Sequence, residues 1–326
     1  MSGSVETLLN AILKGDRRSV ARGISMVENS SPGADALLKS LFPRTGKGYR
    51  IGITGPPGAG KSTITNKLAR LYRGAGKRVG IIAVDPTSPF TGGALLGDRV
   101  RMTDVELDAD VFIRSMASRG SLGGLSKKAA EAADILDASG FDMILMETVG
   151  VGQSELDIAR ATDTTVVVLV PESGDGIQAM KAGLMEIADF FVMNKSDRPG
   201  ADQAVMSIKM ILGFRQSSSD RSGSWVPDVV KTVGSEGTGI ESVMQMIDDH
   251  RKHLESTGMM LDKRRRRLDG RIRELVDEKL HVDFWNEQRL EVLRTKLEKI
   301  VQRKETPYDL VRDLIDDFKK HVESNQ

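Results

Sequence analysis

Gly55, Pro56, Pro57, Gly58, Ala59, Gly60, Lys61, Ser62 and Thr63 form a complete G-x-x-x-x-G-K-[ST] run. Glycines at these positions let the backbone curl until successive N–H groups point inward, where they can cradle an anion. Lys61 is placed to reach β- and γ-phosphates, and the Ser62 hydroxyl suits Mg²⁺. The run needs a strand before it and a helix after it. Tyr49–Thr54 is strand-like and Ser62–Tyr72 reads as a helix, whose N-terminus adds partial positive charge. The chain is therefore expected to bind a nucleoside triphosphate.

Asn194-Lys195-Ser196-Asp197 identifies the base. Guanine presents two donors, N1–H and the N2 amino group, that one carboxylate such as Asp197 accepts together. Adenine would leave that carboxylate facing a lone pair, and a site built around absent donors discriminates strongly. Asn194 is expected to hold the loop and the purine edge, with the Lys195 stem on the ring. Thr232-Val-Gly-Ser-Glu, with Gly234 and Ser235, is the expected backbone support for the base. Asp85 and Glu147 each end an apolar run and are candidate Mg²⁺ ligands, direct or through water; helix capping is the alternative for both. Asp98 is a third metal candidate. The Gly150 N–H, after Glu147-Thr-Val, is placed to sense the γ-phosphate. Small GTPases carry a water-orienting Gln directly after this glycine, whereas this chain has Val151 there and Gln153 two residues later. Slow intrinsic hydrolysis is the expectation.

The elements that must position these groups read as alternating strands and helices. Strand candidates are Arg50–Thr54, Val79–Val84, Val111–Arg114, Met143–Met146, Thr165–Val170, Phe190–Met193 and Val229–Thr232. Such continuous aliphatic runs suit a parallel sheet covered on both faces, whose functional loops lie at the strands' C-terminal ends. The predicted class is α/β, a P-loop NTPase with a mostly parallel central sheet plus N-terminal and C-terminal helical extensions. Three regions are expected: an N-terminal helical extension over 1–45, a G domain over 46–255 and a C-terminal helical region over 256–326. Asp16 is placed to cap a helix carrying Val20, Ile24 and Val27, and Thr306 and Pro307 mark the start of the last helix.

Composition narrows the function class. At 326 residues the chain can bury a sizeable core, and 47 Lys+Arg against 46 Asp+Glu imply no global polyanion partner. With no cysteine there is neither a disulfide nor a thiolate metal site. The N-terminal residues lack a basic leader, and no apolar run approaches the roughly 20 residues that span a bilayer. The expectation is a cytoplasmic protein with no membrane and no nucleic-acid partner. Arg264–Arg267 could contact phosphates, but flanking Asp262 and Asp269 and the lack of interleaved aromatics favour a solvated helix face or dimer contact. His250 and His253, one helical turn apart, are expected as a solvated pair.

Several blocks together resemble one family closely. They are Gly15–Arg18, Gly55–Thr63, Val84–Pro89 (Val-Asp-Pro-Thr-Ser-Pro), Leu96–Met102, Ser118–Gly124, Glu147–Glu155 (Glu-Thr-Val-Gly-Val-Gly-Gln-Ser-Glu) and Asn194–Asp197. Over about residues 5–245 the chain resembles MeaB/MMAA-type G3E P-loop GTPases, long called ArgK or LAO/AO transport system kinases. The resemblance implies a G domain whose C-terminal extension serves homodimerisation. It also implies a GTP-dependent chaperone, hydrolysing GTP to GDP, of adenosylcobalamin-dependent (B12-dependent) acyl-CoA mutases, typically methylmalonyl-CoA mutase. Such proteins gate cofactor loading and protect or reactivate the mutase. It further implies a switch loop with Asp175, Gln178 and Lys181. Where the family commonly has Lys-Thr this chain has Arg99-Val100, which keeps the charge and changes its geometry. Two alternatives stay open: a GTP-dependent kinase, and a metallochaperone-type GTPase with another client.

Overall fold

The computed structural model describes residues 3–86, 105, 107–118, 124–148, 154–171, 183–217 and 225–324. The strands are β1 (Tyr49–Thr54), β2 (Val79–Pro86), β3 (Val111–Ser118), β4 (Met143–Thr148), β5 (Thr164–Leu169), β6 (Phe190–Met193) and β7 (Val229–Lys231). They form a 7-stranded sheet in the order β3-β2-β4-β1-β5-β6-β7. Every pairing is parallel. The expected strands are all present, most within a residue or two at their ends and β3 four residues longer than the expected Val111–Arg114, and the fold is that of a P-loop NTPase. Residues 87–104 and 149–153, which follow β2 and β4, lie outside the described residues.

Alternation along the strands assigns two faces. Tyr49, Ile51 and Ile53 of β1 and Met143 and Leu145 of β4 pack with α4 (Lys61–Gly74), through Ile64 and Leu68. The same face carries α8 (Ile240–Ser256), through Val243 and Ile247. Ile144 and Met146 point the other way, under α5 (Gly124–Ala138) and α6 (Ser154–Ala161). The N-terminal helices α1 (Gly3–Leu13), α2 (Arg17–Glu28) and α3 (Ala34–Leu41) bury Ile12, Ile24, Leu37 and Leu41 in that second core. Asp16 caps α2 by accepting from Ser19 N at 2.8 Å. Beyond β5, a third cluster packs Val205, Ile208 and Leu212 of α7 (Ala201–Ser217) against β5 and β6. By packing, the chain divides into Met1–Arg264 and Arg265–Gln326, so the N-terminal helices share the first unit's core.

The N-terminal edge of the sheet is closed by a buried polar network. The Tyr49 and Thr164 hydroxyls lie 2.5 Å apart, and Thr164 Oγ1 lies 2.8 Å from His250 Nδ1. His250 Nε2 is 3.4 Å from Asp189 Oδ1, and the ring sits 4.8 Å from that of Trp225. Burial lowers the His250 pKa to about 4 in spite of the Asp189 carboxylate, so the imidazole is neutral. The expectation of a solvated histidine pair is thus wrong for His250, which is 1% exposed. Its position explains why: Ile240, Val243, Ile247, His250 and Leu254 form the buried stripe of α8. The basic run is also used locally. At the start of α9 (Met259–Phe284), Lys263 Nζ lies 2.8 Å from Asp189 Oδ2. Arg264 donates to Gly46 O at 2.6 Å and lies 3.3 Å from Asp163 Oδ1. Arg264 is therefore a lash to the edge of the sheet rather than part of a solvated face.

The second unit comprises the rest of α9, α10 (Glu287–Val301) and α11 (Pro307–Ser324). Asn286 caps α10 by accepting from Arg289 N at 2.8 Å, and Thr306 Oγ1 accepts from Asp309 N at 3.2 Å at the head of α11. Arg289, 2% exposed, binds Asp317 Oδ2 at 2.9 Å and Phe284 O at 2.9 Å. Leu268, Ile272, Leu275 and Leu280 of α9 are exposed along the helix.

Candidate nucleotide site

β1 runs directly into the phosphate loop, which turns into α4. Gly55 takes φ 137°, and a Cβ there would lie 2.0 Å from Val168 O. Gly60 takes φ 89°, and its Cβ would lie 2.3 Å from Asn194 Nδ2. Only glycine meets both demands, positive φ and close approach. Lys61 is buried and donates from Nζ to Gly55 O at 2.9 Å and Pro56 O at 3.0 Å. Its ammonium is thus held against the first two carbonyls of the loop. Ser62 Oγ donates to Glu147 Oε1 at 2.6 Å, and both residues are buried. These are hard oxygen donors, the set that suits Mg²⁺ with water and phosphate oxygens completing its shell. Among the described residues no group of three or more His, Cys, Asp or Glu could hold a metal by itself.

The Asn194–Asp197 loop follows β6. Asn194, 3% exposed, is a junction: Nδ2 donates to Ala59 O at 2.8 Å, while Oδ1 accepts from Thr232 Oγ1 at 3.0 Å and Gly234 N at 2.9 Å. One amide thereby joins the phosphate loop, the end of β6 and the loop after β7. Ser196 N donates to Thr232 O at 3.0 Å, tying the same loops again. Lys195 adopts φ 57°, the left-handed region a non-glycine residue rarely takes, which marks a specified loop shape. Asp197 and Ser235 are exposed and Gly234 is buried.

The structure therefore brings together Gly55–Thr63, Glu147, Asn194–Asp197 and Gly234–Ser235 of the sequence-derived candidates. The backbone of Asp85 pairs with Ala117 in the β2–β3 ladder, while its side chain is outside the described ones. Asp98, Gly150, Asp175, Gln178 and Lys181 lie outside the described residues, as do Arg99, Val151 and Gln153. Sequence reasoning missed Thr54 and Thr148, whose hydroxyls meet at 2.9 Å beside the loop. Each is a threonine at the last position of its strand, directly before a glycine-containing stretch of sequence, and that is the available signal.

The sequence profile of the family described as methylmalonyl Co-A mutase-associated GTPase MeaB matches residues 20–289. A protein of Pyrococcus horikoshii whose name carries the word GTPase is 51% identical over 245 residues, covering 75% of this chain and 77% of that one. The GTPase ArgK of Escherichia coli is 37% identical over 245 residues, covering 74% of each. The mouse protein named methylmalonic aciduria type A homolog, mitochondrial, is 35% identical over 257 residues, covering 72% of this chain and 60% of that protein. A crystal structure of a LAO/AO transport system kinase superposes with a TM-score of 0.74 at 27% identity, covering 98% of this chain and 99% of that one. The chain belongs to the MeaB family of G3E P-loop GTPases, proteins that bind guanine nucleotide and hydrolyse GTP.

Proposed function

We propose that this GTPase is a Mg²⁺-dependent chaperone of an adenosylcobalamin-dependent acyl-CoA mutase such as methylmalonyl-CoA mutase. It would gate cofactor loading and protect or reactivate the mutase. The match of residues 20–289 to a family described by its association with that mutase carries the reading. In this reading Lys61 and the backbone N–H groups within Gly55–Thr63 hold the phosphates, and Ser62 and Glu147 hold Mg²⁺ with Asp85, Asp98 being a third candidate. Bound Mg²⁺ would supply neutralising charge at the phosphate oxygens. Asn194, Lys195 and Asp197, backed by Gly234 and Ser235, read guanine. Gly150 senses the γ-phosphate, and Asp175, Gln178 and Lys181 report nucleotide state to the partner. The helical region 256–326 serves a homodimer and 46–255 the G domain, with 1–45 as its N-terminal extension. The protein works in the cytoplasm without membrane or nucleic acid; among the described residues no helix is long and apolar enough to cross a membrane.

The test is GTP hydrolysis by the purified protein, with ATP as control, with and without a B12-dependent acyl-CoA mutase from the same source. Slow, GTP-only turnover that the mutase accelerates is the expected result. Hydrolysis that the mutase neither changes nor binds would remove the client while leaving the GTPase. Labelled phosphate appearing on a protein or amino acid would restore the kinase reading.

A further inference from the structure

We propose that Thr54 and Thr148 are positioning residues, a hydroxyl pair that holds Glu147 in line with Ser62 and so sets the site's affinity for Mg²⁺. The proposal rests on the reading of Ser62 and Glu147 as the metal-holding pair. β1 and β4 are neighbours, and their last paired position sets Ile53 opposite Glu147. Immediately beyond it, Thr54 and Thr148 share a hydrogen bond of 2.9 Å. They are 0% and 1% exposed.

The side chains of successive strand residues point to opposite faces. Ile53 lies in the core shared with α4, and Glu147 reaches Ser62 of α4 on that same face. Thr54 and Thr148 point to the other face, where a side chain at Gly52 would strike Ile158 and Thr162 at the end of α6. The tip of β4 is thus tied at adjacent positions on both faces of the sheet, to Ser62 of α4 on one and to Thr54 of β1 on the other. The upper tie, Ser62–Glu147, involves the oxygens that would turn to a metal. The lower tie involves no group that a nucleotide or metal would contact. When the upper tie opens to admit Mg²⁺, the lower one persists and, with the β2 ladder, keeps the carboxylate facing the serine. On the β1 side the ladder ends here, because Gly55 turns away at φ 137° into the phosphate loop, while on the other side β2 still pairs Ala83 with Glu147 and Val84 with Thr148.

A merely structural pair makes a different prediction from a positioning pair. Leaving one buried hydroxyl without its partner destabilises a protein, whereas replacing both by apolar groups of the same shape is nearly neutral. Thr54→Val and Thr148→Val alone should each lower the melting temperature, and the double Thr54→Val/Thr148→Val variant should recover most of that loss. Affinity for Mg²⁺ should not recover with it. The readout is equilibrium binding of a fluorescent, non-hydrolysable GTP analogue, titrated with Mg²⁺. The Mg²⁺ concentration giving half-maximal tightening should rise about tenfold in the double variant, the lower end of the effect of losing a partner that orients a metal ligand. Thr148→Ser, which keeps the hydroxyl, should return close to the parent midpoint.

A double variant with the parent midpoint would overturn the proposal and leave the pair as ordinary packing. Ser62→Ala is the control for the underlying reading. A Ser62→Ala shift with no shift in the double variant sinks the threonine pair alone; no shift in either sinks the metal assignment as well. Should the double variant fail to fold, Thr148→Val against Thr148→Ser, compared below both melting temperatures, separates the same two outcomes.

Discussion

At the scale of single residues, Asn194 and Asp197 separate two kinds of importance that a four-letter motif runs together. The Asn194 amide is buried and satisfies Ala59 O, Thr232 Oγ1 and Gly234 N at once. Asn194→Ala strands those groups, so a loss of about 1–3 kcal/mol in stability is expected together with weaker nucleotide binding. Chemical denaturation followed by GDP titration measures both. Asp197 is exposed, so Asp197→Asn should leave stability within about 0.5 kcal/mol. It should shift preference from guanosine toward xanthosine nucleotides, because an amide presents a donor where guanine presents its own. Retained guanine selectivity in competition binding would place base reading elsewhere. The phosphate loop and Asn194-Lys-Ser-Asp were legible because their chemistry is local in sequence. The Thr54–Thr148 and Ser62–Glu147 bonds were not, since each joins residues more than eighty positions apart.

At the scale of elements, the strands and several helix caps were legible and their arrangement was not. Aliphatic runs announce a buried parallel strand, and Asp16 and Thr306 mark helix starts through their own hydrogen bonds. Nothing in those runs says that β4 inserts between β2 and β1, because crossover packing decides that order. His250 shows the same limit: its ring occupies a core position of α8 that its polarity disguised, although the spacing from Ile240 and Val243 held the clue. The burial has a consequence in pH. An imidazole of pKa about 4 when folded and 6.5 when unfolded binds fewer protons in the folded state across that window. Its contribution to stability is therefore intact above pH 6.5 and is lost as pH falls toward 4, by on the order of 3 kcal/mol in all. His250→Asn should flatten that part of the stability–pH curve, as read by denaturant midpoints at pH 7 and pH 5. An unchanged slope would assign it to other groups.

At the scale of the whole molecule, the second unit carries Leu268, Ile272, Leu275 and Leu280 exposed along one helix. If this region serves a homodimer, Ile272→Glu should convert a dimer to a monomer in multi-angle light scattering while GTP binding persists. A parent protein already monomeric would end that reading. The order of the strands carries a further consequence, for the order of events during synthesis. β1 pairs with β4 and β5, and not with β2, the strand next to it in sequence. Long-range parallel pairings form late, because the intervening chain must close first. A chain emerging from the ribosome can join β2 to β3 early, but its phosphate loop has no framework until about residue 170 has been made. Guanine nucleotide, which on the proposed reading needs Asn194 as well, is then a ligand only of chains extended past that residue. Cellular GTP would draw newly made chains toward the native state by mass action, and the pool that this protein consumes as an enzyme would also set how much of it survives its own assembly.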